Sequence, residues 1–456
     1  MGSGALGLQT MQNEFSTANM RAVWNDENRL KKICLVERTV AEVQAELGII
    51  PEKAAQEIQQ QCRYENIQMR KLYLAAAKSG HFLAGFVKYM QDQLSEFSGE
   101  FIHYGMASQD ILDTAMILQL QDAHQIVVSA LEKLAKELLK IAEKYQETVA
   151  VGRGHGGHSP STTVGFRAAV MLNELDRYLS RLEEVQSFVF TGVVGGVVGT
   201  HAALGDQGLS VETKVLERLG LQVPEVYWHT QRDRFVEYGH ILTMVSGMLQ
   251  KLGQDLFDLS RAEIQEFSEP YSANRQASTA LPSKQNPYMC EAVVNLGNLV
   301  QNQMNLLYEA MRVMMEKDTI GWRNIWVALP EICMYLSAQI NYSYTLLQQG
   351  TIQTDNIERN LYADGGSKMS ERLMMSLAPH IGKLSAHQLL AEIAEKTRDE
   401  AITFNEAVQK DETIQQYYTA KELSNLLDPH TYTGTAVEQT KNVVALFKKR
   451  HPEINA

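Results

Sequence analysis

"AMILQLQDAHQIVVSALEKLAKELLKIAEKY" (residues 115–145) has one continuous amphipathic pattern. Its apolar side chains recur at spacings of three, four or seven residues, and they are Ile117, Leu120, Val127, Leu131, Leu134, Leu138, Ile141 and Tyr145. Such spacing places them along one face of an α-helix. The stretch therefore predicts a long helix that packs in a bundle.

The sequence around this stretch also favours long helices. No proline lies between Pro51 and Pro160, as long helices require, because an interior proline removes a hydrogen bond and clashes with the preceding turn. Further long helices are predicted over about 164–190, 235–267, 289–317 and 325–350. The methionine-rich run "MNLLYEAMRVMMEK" (304–317) is predicted to be bundle core. Strand-like alternation is scarce, so the predicted fold class is all-α.

Three polar segments interrupt the helical pattern, at 99–114, 151–166 and 273–293. The composition also changes near residue 355, where shorter helices are expected. These breaks predict three domains: an N-terminal helical domain over 1–111, a central helix bundle over 112–354 and a C-terminal helical domain over 355–456.

The net charge of -12 argues against a nucleic-acid or membrane-surface partner, since both attract basic faces. The four cysteines lack zinc or disulfide spacing, so no metal is expected, and no cofactor motif is present. No apolar run approaches the length of a membrane span, and "MGSGALG" lacks the features of a signal peptide. We therefore expect a cytoplasmic protein.

Each polar segment has a structural interpretation of its own. "GMASQD" fits a helix N-cap with Asp110 in the first turn, and "GRGHGGHSP" fits a flexible turn. Taken together, hydroxyls, amides and Lys284 at helix starts fit a site for anionic substrates. His155 supplies a proton donor near neutral pH, so acid–base chemistry beside a carboxylate is expected.

The third segment, "ASTALPSKQNPYMCE" (277–291), resembles the signature GSSxMPxKxNP, followed by a glutamate, of the fumarase/aspartase superfamily. The match retains the residues Ser278, Pro282, Lys284, Asn286, Pro287 and Glu291. It departs at Ala277, Thr279 and Leu281. The resemblance covers nearly the whole chain, and it implies the three-domain fold of the superfamily around a central bundle of long helices.

Within the superfamily the chain is similar to the adenylosuccinate lyase and 3-carboxy-cis,cis-muconate cycloisomerase branch. "GWRNIWVALPE" and "LDPHTYTGTA" resemble the cycloisomerases, whereas "GRGHGGHSPSTTVGF" resembles the adenylosuccinate lyases. Glu14 and Phe15 stand where adenylosuccinate lyases usually carry an Arg-Tyr pair for the nucleotide phosphate. That departure weakens the nucleotide interpretation.

The resemblance implies catalytic or charge-stabilising roles for five residues, four of them in the third segment (277–291, here called the catalytic loop) and one, His155, in the second. Ser278 is the general base that removes the proton beside a carboxylate. Lys284 and Asn286 stabilise the charge that develops on that carboxylate. His155, oriented by Glu291, protonates the leaving group.

The resemblance also implies that Ser108 and Gln109 bind a substrate carboxylate. Further substrate-binding residues that it implies are Thr162, Thr163, His103, Gln231 and Arg232. His81 corresponds to another active-site histidine of adenylosuccinate lyases, but it also fits a histidine on a helix surface.

These roles predict a lyase that catalyses anti β-elimination of a C–N bond in an N-substituted aspartate and releases fumarate. A lactonising cycloisomerase and a non-catalytic structural homologue remain as alternatives. In this superfamily different subunits supply the three loops, so the resemblance implies a homotetramer with composite active sites and a small-molecule carboxylate substrate.

Overall fold

A computed structural model of the chain describes residues 4–270, 281 and 284–455. These residues are mainly helical, with two short antiparallel pairs of strands, which confirms the all-α fold class. The first helices are α1 (Gln12–Phe15), α2 (Ala18–Val23), α3 (Asp26–Glu46), α4 (Glu52–Gln61), α5 (Met69–Ser79), α6 (Phe82–Gln93), α7 (Glu96–Gly99), α8 (Ser108–Lys144), α9 (Val164–Val189) and α10 (Gly208–Arg218). The later helices are α11 (Asp233–Leu259), α12 (Tyr288–Glu309), α13 (Ile320–Gln349), α14 (Thr354–Leu361), α15 (Ser370–Ile381), α16 (Lys383–Glu400), α17 (Phe404–Lys410), α18 (Glu412–Gln415), α19 (Ala420–Leu426) and α20 (Ala436–Arg450). The strands are β1 (Val149–Gly154), β2 (Gly157–Thr163), β3 (Phe267–Ser268) and β4 (Thr351–Ile352). No helix in the described part of the chain is both long enough and apolar enough to cross a membrane.

Helix α8 confirms the long helix that the sequence predicts. The apolar stripe is buried from Ile117 to Leu138, with Ile117, Leu120 and Leu134 all at 0% exposure. Helices α9, α12 and α13 also lie where their periodicity places them, although α13 begins earlier than expected, at Ile320. Burial of one face stabilises these helices more than intrinsic helix propensity does.

Two helices end earlier than the sequence predicts. Helix α11 ends at Leu259 instead of near 267, and α12 ends at Glu309 instead of near 317. The prediction that the methionine-rich run is core is therefore wrong in its second half: Met304 is buried, but Met315 is 87% exposed. Beyond the end of α12, Asp318 accepts hydrogen bonds from the N–H groups of Met314 and Ile320 and caps the start of α13.

The segment at 151–166, expected to be a loop, forms a β-hairpin. Strands β1 and β2 pair antiparallel, with Val149 opposite Thr163 and Gly154 opposite Gly157. His155 (φ 51°) and Gly156 (φ 78°) form the two-residue turn, and positive φ at both positions suits the twist of a tight hairpin. The sequence gives little sign of these strands because glycine, histidine and serine replace the usual alternation of apolar and polar residues.

The described part of the chain divides into two compact units. The first unit draws on Met1–Leu131, Tyr178–Gln250 and Ala292–Asn341. The second unit draws on Glu132–Arg177, Lys251–Glu291 and Tyr342–Ala456. The division into domains at 1–111, 112–354 and 355–456 stays a prediction.

Candidate active site

In the first unit, Asp110 fixes the start of α8. Its Oδ2 accepts hydrogen bonds from the N–H groups of Ala107 (2.7 Å) and Gly196 (3.0 Å), and its Oδ1 accepts one from Gly195 (3.0 Å). The side chain is fully buried, and Nε2 of His229 lies 3.1 Å from Oδ1. A buried carboxylate is tolerated when donors surround it in this way. Asp110 therefore joins the loop before α8 to the glycine-rich stretch at 192–199.

A second buried carboxylate, Asp113, lies one turn further along α8. It accepts hydrogen bonds from Nη1 of Arg232 (2.8 Å) and from Nε1 of Trp322 (2.7 Å). Arg232 is only 2% exposed, and its guanidinium group is engaged within the fold. Its substrate-binding role stays a prediction, as does that of its exposed neighbour Gln231.

A pocket of about 510 Å³ opens beside these carboxylates in the first unit. Its lining residues are His81, His103, Met106, Ala107, Ser108, Val197, Lys317, Asp318, Thr319 and Trp322. The lining combines apolar surface with one lysine, two histidines, one aspartate and two hydroxyls. Such a cavity can hold a small molecule that has both an apolar part and an anionic part.

Ionisable side chains that line this pocket have shifted pKa values. Burial lowers the pKa of Lys317, although nearby Asp110 and Asp113 oppose this effect. Burial, together with the positive charges of Arg323 and Lys317, lowers the pKa of His81. His81 is therefore held towards its neutral form.

His103 behaves in the opposite way. Burial lowers its pKa, but the carboxylate of Glu37 outweighs burial, so that the pKa is raised overall. Nδ1 of His103 lies 2.8 Å from Oε1 of Glu37. The pocket is therefore lined by one imidazole that favours its charged form and one that favours its neutral form.

Of the predicted carboxylate-binding pair, the structure places Ser108 on the pocket and Gln109 in the interior. Gln109 is 1% exposed, and its Nε2 lies 3.4 Å from the carbonyl oxygen of His229. The contribution of Gln109 to substrate binding stays a prediction. Lys317 and Trp322, which sequence reasoning did not assign, also line the cavity.

In the second unit, the β1–β2 hairpin carries His155 at its exposed tip. Close to the tip, Nη1 of Arg153 donates to Oε2 of Glu266 at 2.9 Å. Thr163 is buried, and its hydroxyl accepts a hydrogen bond from the N–H of Phe166, which caps α9. His155 is exposed to solvent in the isolated chain.

The catalytic loop is described only in part. Ser278 lies outside the described residues. Lys284 and Glu291 are exposed, while Asn286 is half-buried just before α12. Within the described part of the second unit, His155 and Glu291 are not hydrogen-bonded to each other, so the orientation of His155 by Glu291 stays a prediction. Thr162, half-buried on β2, likewise remains a predicted substrate ligand.

Among the described residues, no group of three or more His, Cys, Asp and Glu side chains could hold a metal ion. The groups that the site offers are hydroxyls, amides, imidazoles and ammonium groups. These groups can bind carboxylates and move protons.

Comparison with known proteins agrees with this chemistry. A family model described as lyase matches residues 11–301, and one described as adenylosuccinate lyase C-terminus matches residues 366–443. An N-acetyl-S-(2-succino)cysteine lyase of Dickeya dadantii is 36% identical and covers 97% of this chain and 98% of its own length. An adenylosuccinate lyase of Methanocaldococcus jannaschii is 30% identical and covers 98% of this chain and 97% of its own length. The crystal structure of a 3-carboxy-cis,cis-muconate lactonizing enzyme from Pseudomonas putida matches with a TM-score of 0.90 at 28% identity, over 98% of this chain and 100% of that one.

The chain therefore belongs to the lyase family and is an enzyme of the fumarase/aspartase superfamily. Its relatives include lyases that act on nitrogen-linked and sulfur-linked succinyl compounds, and a lactonising enzyme.

Proposed function

We propose that this enzyme releases fumarate from a succinate that carries a heteroatom substituent at carbon 2. The observation that carries the proposal is the pocket at the start of α8, where Ser108, His103 and Lys317 face one cavity beside apolar surface. Cationic and hydroxyl groups suit the carboxylates of a succinyl group, and the apolar surface suits the group that leaves.

The reaction balances as an anti β-elimination. Ser278 removes a proton from the carbon beside a carboxylate, and the electron pair moves into that carboxylate to give an aci-carboxylate. Lys284 and Asn286 stabilise the added charge. The bond to the heteroatom then breaks as the double bond of fumarate forms. His155 gives a proton to the departing atom.

Two leaving groups fit this scheme. A sulfur leaving group is supported by the 36% identity to the N-acetyl-S-(2-succino)cysteine lyase and by the apolar pocket wall formed by Met106, Val197 and Trp322. The nitrogen leaving group predicted from the sequence is supported by the 30% identity to an adenylosuccinate lyase. A thiol has a pKa of about 8.5, so it departs with less help from an acid than an amine does.

The test is fumarate release, followed by its ultraviolet absorbance, from a panel of separately supplied compounds. The panel contains S-(2-succino)cysteine, its N-acetyl form, adenylosuccinate, argininosuccinate and a simple N-substituted aspartate. Rapid fumarate release from a sulfur or nitrogen compound is expected. If none of them yields fumarate, the proposed function is wrong.

A second candidate function is lactonisation of 3-carboxy-cis,cis-muconate. The TM-score of 0.90 to a lactonizing enzyme favours it. The test is to supply 3-carboxymuconate in addition to that panel, and lactone formation without fumarate from any succinyl compound would select this candidate.

We also propose a cytoplasmic homotetramer whose active sites combine loops from several subunits. The exposure of His155, Lys284 and Glu291 in the isolated chain supports this, because catalytic groups of this kind usually work out of contact with bulk water. Light scattering coupled to size exclusion should give four times the 51.2 kDa chain mass. A monomer that is fully active would contradict the composite site.

A further inference from the structure

Glu37 is a buried acid that the chemistry described so far does not use. It lies in the middle of α3, and its side chain is 0% exposed. Its Oε1 lies 2.8 Å from Nδ1 of His103, and its Oε2 is buried without a hydrogen-bond partner among the described residues. A buried carboxylate is costly unless a positive charge compensates it. The nearby group that can supply that charge is the imidazole of His103.

The backbone of His103 is also unusual. Its φ of 59° lies in the left-handed region, which only a few per cent of non-glycine residues adopt. The turn continues at Gly105, where a Cβ atom would come within 2.6 Å of Cδ2 of Leu204. The packing of this turn therefore fixes the imidazole against Glu37 on one side, while the residue lines the pocket on the other. Strain of this kind concentrates at functional sites.

The two ring nitrogens then have different tasks. Nδ1 is engaged by Glu37, which leaves Nε2 as the nitrogen that can donate to a molecule in the pocket. Other ionisable groups line the same pocket from neighbouring elements. Lys317 and Asp318 lie before α13, and His81 precedes α6. The charge of Asp110 on α8 also favours protonated His103.

We propose that Glu37 is a positioning residue that keeps His103 charged and aims its Nε2–H at one carboxylate of the substrate. The inference rests on the proposed function, because it assigns that carboxylate to this pocket. It names a residue that lies outside the three polar segments in sequence, but contacts the first of them, as a determinant of substrate binding.

The direction in which Glu37 shifts the pKa of His103 sets the pH dependence of substrate binding. Glu37 raises the pKa of His103, so the charged imidazole persists as pH rises and is lost only above that raised pKa. Without the carboxylate, burial dominates and the pKa falls. Binding through His103 should then be lost at lower pH in a Glu37→Gln variant than in the unmodified enzyme.

The experiment compares Glu37→Gln with Glu42→Gln, a matched substitution at an exposed position of the same helix. Glu37→Gln should raise the KM for the succinyl substrate roughly ten- to a hundredfold, as expected for loss of a charge-assisted hydrogen bond, with little change in kcat. The pKa of His103, measured by NMR on histidine-labelled protein, should fall. Glu37→Asp should restore part of both effects, and Glu42→Gln should change neither. Thermal unfolding confirms that the variants fold.

Two results would overturn the inference. The first is an unchanged pKa of His103 in Glu37→Gln. The second is a lowered pKa of His103 without any change in KM or its pH profile. The contact between Glu37 and His103 would then have only a structural role. If the unmodified enzyme releases no fumarate from any succinyl compound, the proposed function fails, and binding of fumarate itself, followed through the His103 resonances, decides. Weaker fumarate binding in Glu37→Gln upholds the role of Glu37, and equal binding refutes it.

Discussion

Substitution of Asp110 by asparagine should destabilise the protein far more than its small change in shape would indicate. The carboxylate of Asp110 accepts from the N–H groups of Ala107 and Gly196 at Oδ2 and from Gly195 at Oδ1, where His229 also lies 3.1 Å away. Asparagine has nearly the same volume, but one of its two terminal atoms is a donor. In either amide orientation, that donor faces groups that are themselves donors.

The magnitude follows from counting the donors that lose their acceptor. With the amide nitrogen at the position of Oδ2, the N–H groups of Ala107 and Gly196 are left unpaired. With the nitrogen at the position of Oδ1, the N–H of Gly195 is unpaired and the contact with His229 is lost. Each buried donor without a partner costs about 1–3 kcal/mol. The amide takes the orientation that leaves one backbone donor unpaired instead of two, so we expect Asp110→Asn to lose about 1–3 kcal/mol of unfolding free energy.

The assay is equilibrium unfolding in urea at neutral pH, with Asp122→Asn as the control. Asp122 lies on the same helix, but its carboxylate is 37% exposed and pairs with Nζ of Lys32 at 2.8 Å. An ion pair of this kind is worth about 0–1 kcal/mol, so the control should lose no more than that. Fumarate release should also fall in Asp110→Asn, because Ala107 and Val197 line the pocket next to the bonded backbone.

Equal losses in the two variants would refute this reasoning. So would a loss below about 0.5 kcal/mol in Asp110→Asn, the range of ordinary surface substitutions. Either result would mean that the loop before α8 does not depend on Asp110.

Three further predictions concern the acid role of His155, the composition of the active site and the acid sensitivity caused by His124. His155→Asn keeps a residue that tolerates the left-handed backbone at this position. It should slow fumarate release from a nitrogen-linked substrate by about a hundred- to ten-thousandfold, and from a sulfur-linked substrate by less. Equal losses would contradict the role of His155 as the acid. Co-expression of inactive His155→Asn and Ser278→Ala chains should restore part of the activity, and no recovery in confirmed mixed oligomers would mean that one chain supplies both loops. Burial lowers the pKa of His124 to about 4, so the neutral form belongs to the folded state and stability should fall as the pH drops from about 6.5 towards about 4. His124→Gln should lessen this acid sensitivity relative to the unmodified protein in urea unfolding at pH 7 and pH 5, and identical pH dependence in both would contradict the assignment.

Local patterns were enough to locate the helices that build the fold. The stripe in α8 recurs with the helical period, and the starts of α9 and α12 lie beside segments rich in glycine or proline. The prediction of the catalytic loop rests on a family signature that is contiguous in sequence. The sequence did not predict the end of α12 at Glu309, since its apolar character continues through the methionine-rich run beyond that residue.

The hairpin that carries His155 was also hidden from sequence reasoning. Its strands pair glycine, serine and threonine residues, and its stability comes partly from Arg153 and Glu266, which are far apart in the chain. Backbone pairing between such residues leaves no periodic apolar signal. Only the folded chain shows that His155 lies at a two-residue turn.

The pocket is the feature that the tertiary structure decided most completely. Ser108 and His103 come from one segment that the sequence singled out, but Lys317 and Trp322 come from another part of the chain, and Glu37 comes from a helix near the N-terminus. A single acid in a helical pattern is normally solvated, so nothing local marks Glu37 as buried. Its environment depends on long-range packing, which brings α3 against the turn at His103. The sequence therefore determined the class of fold and the class of reaction. Packing determined which charges meet in the pocket.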